Sequence, residues 1–276
     1  MGSKWENFLR NLGEWRGSFT TLNGEGEPVS KTASVLTLEA NPDRDLVHFR
    51  LVRHADDTFD SPVVSDNRQD YRALGRQVVF FSSGCFCKGN EQVAPITPFG
   101  AEYGFLTSDR RLRLVQLFDE AGRFDRHVLI REVLAGSDGQ ERPPLKLEAL
   151  VGDWQGERER IAADWPEPET QSCSLQVRRE GSDGITVVEE EDGQRRCRQG
   201  RVTSHGVAFE GERPSAWHLM ADGGLSDVPG QVSHRDGFSL SVGWLSEPGV
   251  LQRLIRTYND RGEWLHSSHA VLRRVG

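Results

Sequence analysis

The sequence predicts an all-β protein with short helices, built as two tandem antiparallel barrels that arose by internal duplication. Three observations carry this. First, Gly13-Glu14-Trp15-Arg16-Gly17 and Gly152-Asp153-Trp154-Gln155-Gly156 are the same Gly-acid-Trp-x-Gly unit, 139 residues apart (152 − 13) in a 276-residue chain. Second, the segment from Arg113 to Phe124 matches the segment from Arg253 to Trp264 at an offset of 140 (253 − 113). Arg, Leu and Gly are identical there, and Val/Ile, Phe/Tyr, Asp/Asn, Glu/Asp and Phe/Trp keep their chemistry. Third, short apolar or alternating runs recur between turn residues, the pattern of an antiparallel barrel. A repeat at half the chain length means a duplicated domain, and a one-residue difference in offset is what a loop insertion produces.

The elements follow in order. Ser3-Lys4-Trp5-Glu6 is a capping box. Trp5, Phe8, Leu9 and Leu12 follow at helical spacing, so a short helix runs up to the first Gly-x-Trp. Leu147, Leu150 and Val151 do the same in a shorter piece before the second. Strands come next, marked by Val35, Leu38, Val47, Phe49, Leu51, Val78 and Phe80. Phe238, Leu240, Val242 and Trp244 alternate with Ser239, Ser241 and Gly243. Asp192-Gly193 is a two-residue hairpin signal that sets Glu190 opposite Arg195 and Glu189 opposite Arg196, as solvated cross-strand pairs. Gly122 and Gly262 mark the turns of the two matched hairpins. The stretch 136–144, with Gly, Ser, Asp and two prolines, is the linker candidate, giving domains at 1–142 and 145–276. Each half then holds one short helix and about eight strands, and barrel closure would hide their edges.

Composition narrows the function. With 36% hydrophobic and 28% charged residues, the chain has the make-up of a soluble globular protein. No apolar run approaches the roughly 20 residues of a membrane helix, and no secretory or organelle-targeting pattern opens the sequence. The net charge of −8 divides as −3 over 1–145 (18 basic, 21 acidic) and −5 beyond (16 basic, 21 acidic), which argues against nucleic acid as a partner. Four cysteines are too few for a disulfide scaffold, so a reducing cytoplasm is the expected setting.

The paired Gly-x-Trp units, each after a short helix, resemble the calycin superfamily of lipocalins and fatty-acid-binding proteins. That resemblance implies an Arg from a late strand packed on each Trp, closing one barrel end. Arg113 or Arg131 would serve Trp15, and Arg253 or Arg273 would serve Trp154. Gly13, Trp15, Gly152, Trp154, Arg113 and Arg253 are then structural residues. A second resemblance spans nearly the whole chain. Glu102-Tyr103-Gly104-Phe105 followed by Asp109-Arg110-Arg111-Leu112-Arg113-Leu114, and Gly243-Trp244-Leu245 followed by the segment from Gln252 to Tyr258, resemble the cyanobacterial domain of unknown function 3598. That family is similar to the plant thylakoid ATP-synthase biogenesis factor. The resemblance implies a non-enzymatic assembly factor that engages the β and γ subunits of the F1 head.

The residues themselves offer little chemistry. No Gly-x-Ser-x-Gly elbow, His-Glu-x-x-His or P-loop is present, so no catalytic residue, metal site or cofactor is expected. His266 and His269, three apart, fall on opposite faces of a strand. Cys85 and Cys87 share a face; they are either buried thiols or a metal or tetrapyrrole attachment point. Arg111 and Arg113 also share a face, as a grip for an anion or an acidic partner, or as a solvated strand edge. Glu102, Tyr103, His218, Trp244, Arg256 and Tyr258 are weak candidates for a ligand pocket. Two functions stand: a protein-binding assembly factor with filled barrels, for which inward Phe80, Phe105, Phe238, Leu240 and Trp244 speak, or a carrier of a small hydrophobic or tetrapyrrole ligand. Positions where the halves differ, such as Gln116 against Arg256, should separate them.

Overall fold

The computed structural model describes residues 3–191 and 193–276. Asp192, half of the expected turn, lies outside them. The capping box forms as expected: Ser3 N–H donates to Glu6 Oε2 at 2.6 Å, and Glu6 N–H to Ser3 Oγ at 3.2 Å. It starts α1 (Lys4–Leu9), which buries Phe8 and Leu9.

Nine strands follow in the first half: β1 (Gly13–Leu22), β2 (Pro28–Ala40), β3 (Val47–His54), β4 (Val63–Tyr71), β5 (Val78–Phe80), β6 (Phe86–Gly89), β7 (Phe99–Leu106), β8 (Arg110–Phe118) and β9 (Phe124–Leu134). They form one sheet in the order β4-β3-β2-β1-β9-β8-β7-β6-β5. Ten strands follow in the second half: β10 (Gly152–Ala162), β11 (Glu169–Glu180), β12 (Gly184–Glu191), β13 (Gln194–Thr203), β14 (Gly206–Phe209), β15 (Ser215–Leu219), β16 (Gly224–Pro229), β17 (Phe238–Glu247), β18 (Val250–Tyr258) and β19 (Trp264–Val275). These close into a barrel in which β10 pairs with both β11 and β19.

Closure is therefore complete only in the second half. There, two residues join β13 to β14, and the two strands pair from Thr203–Gly206 to Gly200–Phe209. In the first half, residues 72–77 separate β4 from β5, β5 is three residues long, and the two strands stand at opposite ends of the sheet. The open β4 edge is exposed along nearly its whole length and carries Asp66, Arg68 and Asp70. Such charges keep an edge from pairing with other chains.

By contact density the chain divides into two compact units. The first runs to Lys88 and adds Glu102–Val115 and Arg126–Glu141; the second holds Gly89–Ala101, Gln116–Asp125 and Arg142–Gly276.

The duplicated motif has duplicated geometry. Gly13 and Gly152 have φ of +134° and +137°, where a side chain would be strained. Trp15 Nε1 donates to Asn11 O at 3.0 Å, and Trp154 Nε1 to Leu150 O at 2.8 Å, each four residues back. A Cβ on Gly17 would stand 1.8 Å from Arg131 O, and one on Gly156 1.9 Å from Val271 O, so both positions let neighbouring strands close in. The matched hairpins repeat as well. Asp119 Oδ1 accepts from the amides of Ala121 and Arg123, and Asn259 Oδ1 from those of Arg261 and Glu263.

The arginines over the tryptophans are not those expected. Arg111 faces Trp15, 5.2 Å from the ring, and Arg274 faces Trp154 at 4.6 Å. Arg113 lies over Phe19 instead, at 5.6 Å. Arg274 also donates to Val151 O at 2.6 Å and to Ala149 O, so it caps the barrel from outside, whereas Arg111 is buried.

The β12–β13 hairpin has the expected register, with Glu189 opposite Arg196 and Glu190 opposite Arg195. Glu189 is nevertheless buried, contrary to a solvated pair, because its carboxylate faces inward to meet Arg253 at 2.6 Å. The inward face of β17 is also corrected. Ser239 and Ser241 line the barrel cavity, so Leu240 and Trp244 stand on the other face. Phe238, at the start of the strand, borders the cavity as expected; it stacks on Tyr258 at 4.8 Å and meets Phe99 edge-on at 5.8 Å, all within the second unit.

Candidate binding cavities

The first unit encloses a cavity of about 510 Å³. Its walls come from alternate residues of consecutive strands, Phe19 on β1, Leu36 and Leu38 on β2, Phe49 and Leu51 on β3, with Tyr71 and Phe80 at the two ends of the sheet. Both end strands, β4 and β5, thus line the same space. Opposite these apolar walls, β8 presents Arg111 and Arg113, with Glu102 from β7 and Lys88 from β6. The solvated-edge alternative for this arginine run does not hold, since Arg110, Arg111 and Arg113 are all buried.

The two cavity arginines are in different electrostatic states. Arg113 grips Glu132 with two donors, Nε to Oε2 at 3.1 Å and Nη2 to Oε1 at 3.0 Å, and donates from Nη1 to Glu102 at 2.9 Å. Burial alone would lower its pKa, but Glu132 and Glu102 outweigh that and raise it. Arg111 is 3% exposed. Its Nη1 stands 3.8 Å from Glu132, too far for a hydrogen bond, and neither Nε nor Nη1 has a hydrogen-bond partner. Burial dominates here and pulls its pKa down to about 10. A buried guanidinium with two donors unbonded costs more than an ordinary lost hydrogen bond, and the Glu132 carboxylate and the Trp15 ring offset only part of that.

The second unit holds a cavity of about 520 Å³ with mostly polar walls. Its inner charges, Arg158, Arg198 and Arg253 with Glu189, Glu191 and Asp227, are matched with one another. Arg198 holds Asp227 through two bonds of 2.8 and 2.6 Å, and Arg253 pairs with Glu189 at 2.6 Å and donates to Ser241 Oγ at 3.2 Å. Arg158 pairs with Glu191. Arg198 holds Asp227 ionised: the carboxyl pKa falls although burial would raise it. Below this network lies an apolar core around Trp154, Leu175, Val187, Phe209, Trp217 and Leu251.

Aligning the repeats shows how the cavities diverged. At the offset of the tryptophans, Phe19 corresponds to Arg158 (19 + 139). At the offset of the matched hairpins, Arg111 corresponds to Leu251 (111 + 140). At these two interior positions the halves have exchanged polarity.

The weak pocket candidates are dispersed. Glu102 lines the first cavity, while Tyr103 is fully buried on the opposite face of β7. His218 lies on β15 with its ring 5.9 Å from Phe124. Trp244 Nε1 donates to Asp222 O at 2.8 Å. Arg256 donates to Tyr258 Oη at 2.7 Å and to the carbonyls of Gly89 and Asn90 at 3.3 and 3.2 Å, with Trp264 4.3 Å from its guanidinium. Tyr258 Oη donates to Asn90 O at 2.8 Å. Arg256 and Tyr258 thus fasten a chain segment. Gln116 donates to Ser226 Oγ at 2.8 Å and Ser241 O at 3.1 Å, another internal tie. Cys85 and Cys87 are buried free thiols. The pattern that would have found the Arg111 site is the repeat alignment itself, which sets a cation against a leucine.

Residues 1–137 match the family described as domain of unknown function (DUF3598), N-terminal. Residues 141–275 match the family described as biogenesis factor required for ATP synthase 1, C-terminal domain. No curated protein matches the sequence. Among solved structures, a protein of unknown function from the DUF3598 family of Nostoc punctiforme superposes with a TM-score of 0.93 at 34% identity, over 100% of both chains. A putative outer membrane protein of Bacteroides fragilis, at 10% identity over 97% of this chain and 99% of that one, has a TM-score of 0.24, too slight a likeness to argue from. Shared sequence and fold along its whole length place the chain in the DUF3598 family.

Proposed function

We propose that this chain is a non-enzymatic, cytoplasmic protein-binding factor that assists assembly of the ATP-synthase F1 head by holding its β and γ subunits. The observation that carries this reading is the match of residues 141–275 to the C-terminal domain of a biogenesis factor required for ATP synthase. The interior of the second barrel supports it. Its arginines and carboxylates are paired with each other, which leaves recognition to the surface. Trp165, 62% exposed in the loop between β10 and β11, is the largest apolar side chain offered there, and aromatic anchors of this kind dominate protein interfaces. Among the described residues no helix is long and apolar enough to cross a membrane.

The test is affinity capture with the full chain from a native lysate of its source at low salt. F1 β and γ subunits should be retained, and Trp165→Ala should retain less of both. Capture that recovers no F1 subunit would refute the proposal.

A further inference from the structure

We infer that the β10–β11 end of the second unit docks a protein surface with an apolar centre and a basic rim, and that Trp165 and Leu265 make the apolar contacts. This goes further than the assembly reading above and rests on it only in taking Trp165 as an anchor. Trp165 is 62% exposed and Leu265 42%. The two belong to one patch. Ala163 N–H donates to Leu265 O at 2.7 Å, which fastens the loop of residues 163–168 to β19 two residues before the indole. Pro166 and Pro168 follow Trp165, and each fixes its own φ, so the loop has little freedom left to lose on docking.

The duplicated half shows that the fold does not require these side chains. Arg160 faces Glu169 across β10 and β11 as Thr21 faces Ser30 across β1 and β2, so the two hairpin loops have equal length. At the tryptophan offset Trp165 falls on Gly26 (165 − 139), and at the offset of the matched hairpins Leu265 falls on Asp125 (265 − 140). One half has a hydrogen and a carboxylate where the other exposes an indole and an isobutyl group. Neighbouring exposed apolar groups that the architecture does not ask for mark an interaction site.

The charges around the patch select the partner. Glu91, whose carbonyl accepts from Trp264 N–H at 2.8 Å, is exposed, as are Asp164, Glu167, Asp260 and Glu263. Against them stand exposed Arg261 and Arg235, the latter in the turn packed beside Gly262. Glu169 and Asp236 are already paired, with Arg160 at 3.4 Å and Arg213 at 3.1 Å. Five carboxylates to two guanidiniums leave a negative rim about the apolar centre. Such a rim repels nucleic acid and anionic bilayers, and lysine and arginine complement it.

The experiment titrates the full-length protein into a short fluorescein-labelled helical peptide with leucines on one face and lysines on the other and, separately, into its leucine–glutamate counterpart, reading anisotropy. The lysine peptide should bind saturably and the glutamate peptide should not bind. Trp165→Ala should weaken the lysine peptide about ten-fold or more, as loss of an anchor does. Reversing two rim charges, Glu167→Lys with Glu263→Lys, should weaken it about ten-fold. The same change of charge on exposed residues at the other end of the barrel, Glu180→Lys with Asp183→Lys beside the β11–β12 turn, should leave it within about two-fold. Every substituted side chain is exposed, so each variant is expected to fold. Equal binding of the two peptides, no saturable binding, equal loss in the two charge-reversed proteins, or undiminished binding by Trp165→Ala would each overturn the inference. So would a dimer of the chain, seen by native mass spectrometry, that Trp165→Ala dissolves, since a second copy would then be the occupant. No F1 subunit takes part, so a failed titration leaves the F1 assignment standing, and a failed capture leaves this inference standing.

Discussion

Replacing Gly156 with alanine tests the close approach of β10 to β19. The added Cβ would stand 1.9 Å from Val271 O, 2.8 Å from Val271 C and 3.0 Å from Leu272 Cα. Every one of these atoms is backbone, so no side chain can swing aside. Reaching the 3.0 Å below which real Cβ contacts essentially do not occur requires the strands to part by about 1.1 Å (3.0 − 1.9). A ladder bond of about 2.9 Å stretched that far is no longer a hydrogen bond. Losing about two such bonds, at about 1 kcal/mol each, plus residual strain, predicts a destabilisation of about 2 to 3 kcal/mol. Gly237→Ala is the control, because its nearest contact would be an ordinary 3.4 Å from Tyr258 O. It should change stability by less than about 1 kcal/mol. Equilibrium unfolding in guanidinium, followed by tryptophan fluorescence, measures both. Equal midpoints for Gly156→Ala and Gly237→Ala would refute the claim that this glycine is needed for interstrand approach.

Two further predictions concern buried groups. His269 is 4% exposed, bonded to Gln252 Oε1 at 3.0 Å, and burial holds its pKa down to about 4 from 6.5. Because the folded value is depressed, the unfolded chain takes up a proton that the folded one refuses. The His269 contribution is complete above about pH 6.5 and falls away as pH drops toward 4, by up to about 3 kcal/mol. His269→Gln should flatten the stability profile in that window relative to the unsubstituted chain, and parallel profiles would rule the effect out. For the thiols, native protein treated with a chromogenic disulfide reagent should release one rapid equivalent from exposed Cys197, with buried Cys85, Cys87 and Cys173 following only at the rate of opening. Rapid reaction of Cys85 in the folded protein would contradict its burial.

Much of the fold was legible because its signals are local. A capping box spans four residues, and the Gly-x-Trp unit, its indole bonded four residues back, is nearly as compact. The β12–β13 register is the one the Asp192-Gly193 sequence signal predicts, so the Glu190–Arg195 pairing could be counted from the sequence. What escaped depends on distant neighbours. Glu189 looked solvated because Arg253, its partner, is far along the chain. The choice of Arg111 over Arg113 for Trp15 rests on how β8 sits relative to β1, with β9 between them. The facing of β17 escaped for another reason. Both its faces are buried, and alternation cannot name the inner one when neither meets water. The first cavity was hidden because an arginine in a charged run resembles solvated surface until its repeat partner is seen to be leucine.

The join between first and last strands also governs how each half is made. β1 pairs with β2 beside it and with β9, more than a hundred residues on; β10 does the same with β11 and β19. Such distant pairings form late, because the intervening chain must first give up its freedom. The tryptophan caps, by contrast, can assemble at once from adjacent residues. In the second half the wait ends when β19 docks and every edge is spoken for. In the first half β4 and β5 remain unmatched even when folding is finished, so the charges along β4 serve there for the lifetime of the protein, where the closed barrel needs protection only while it is being built.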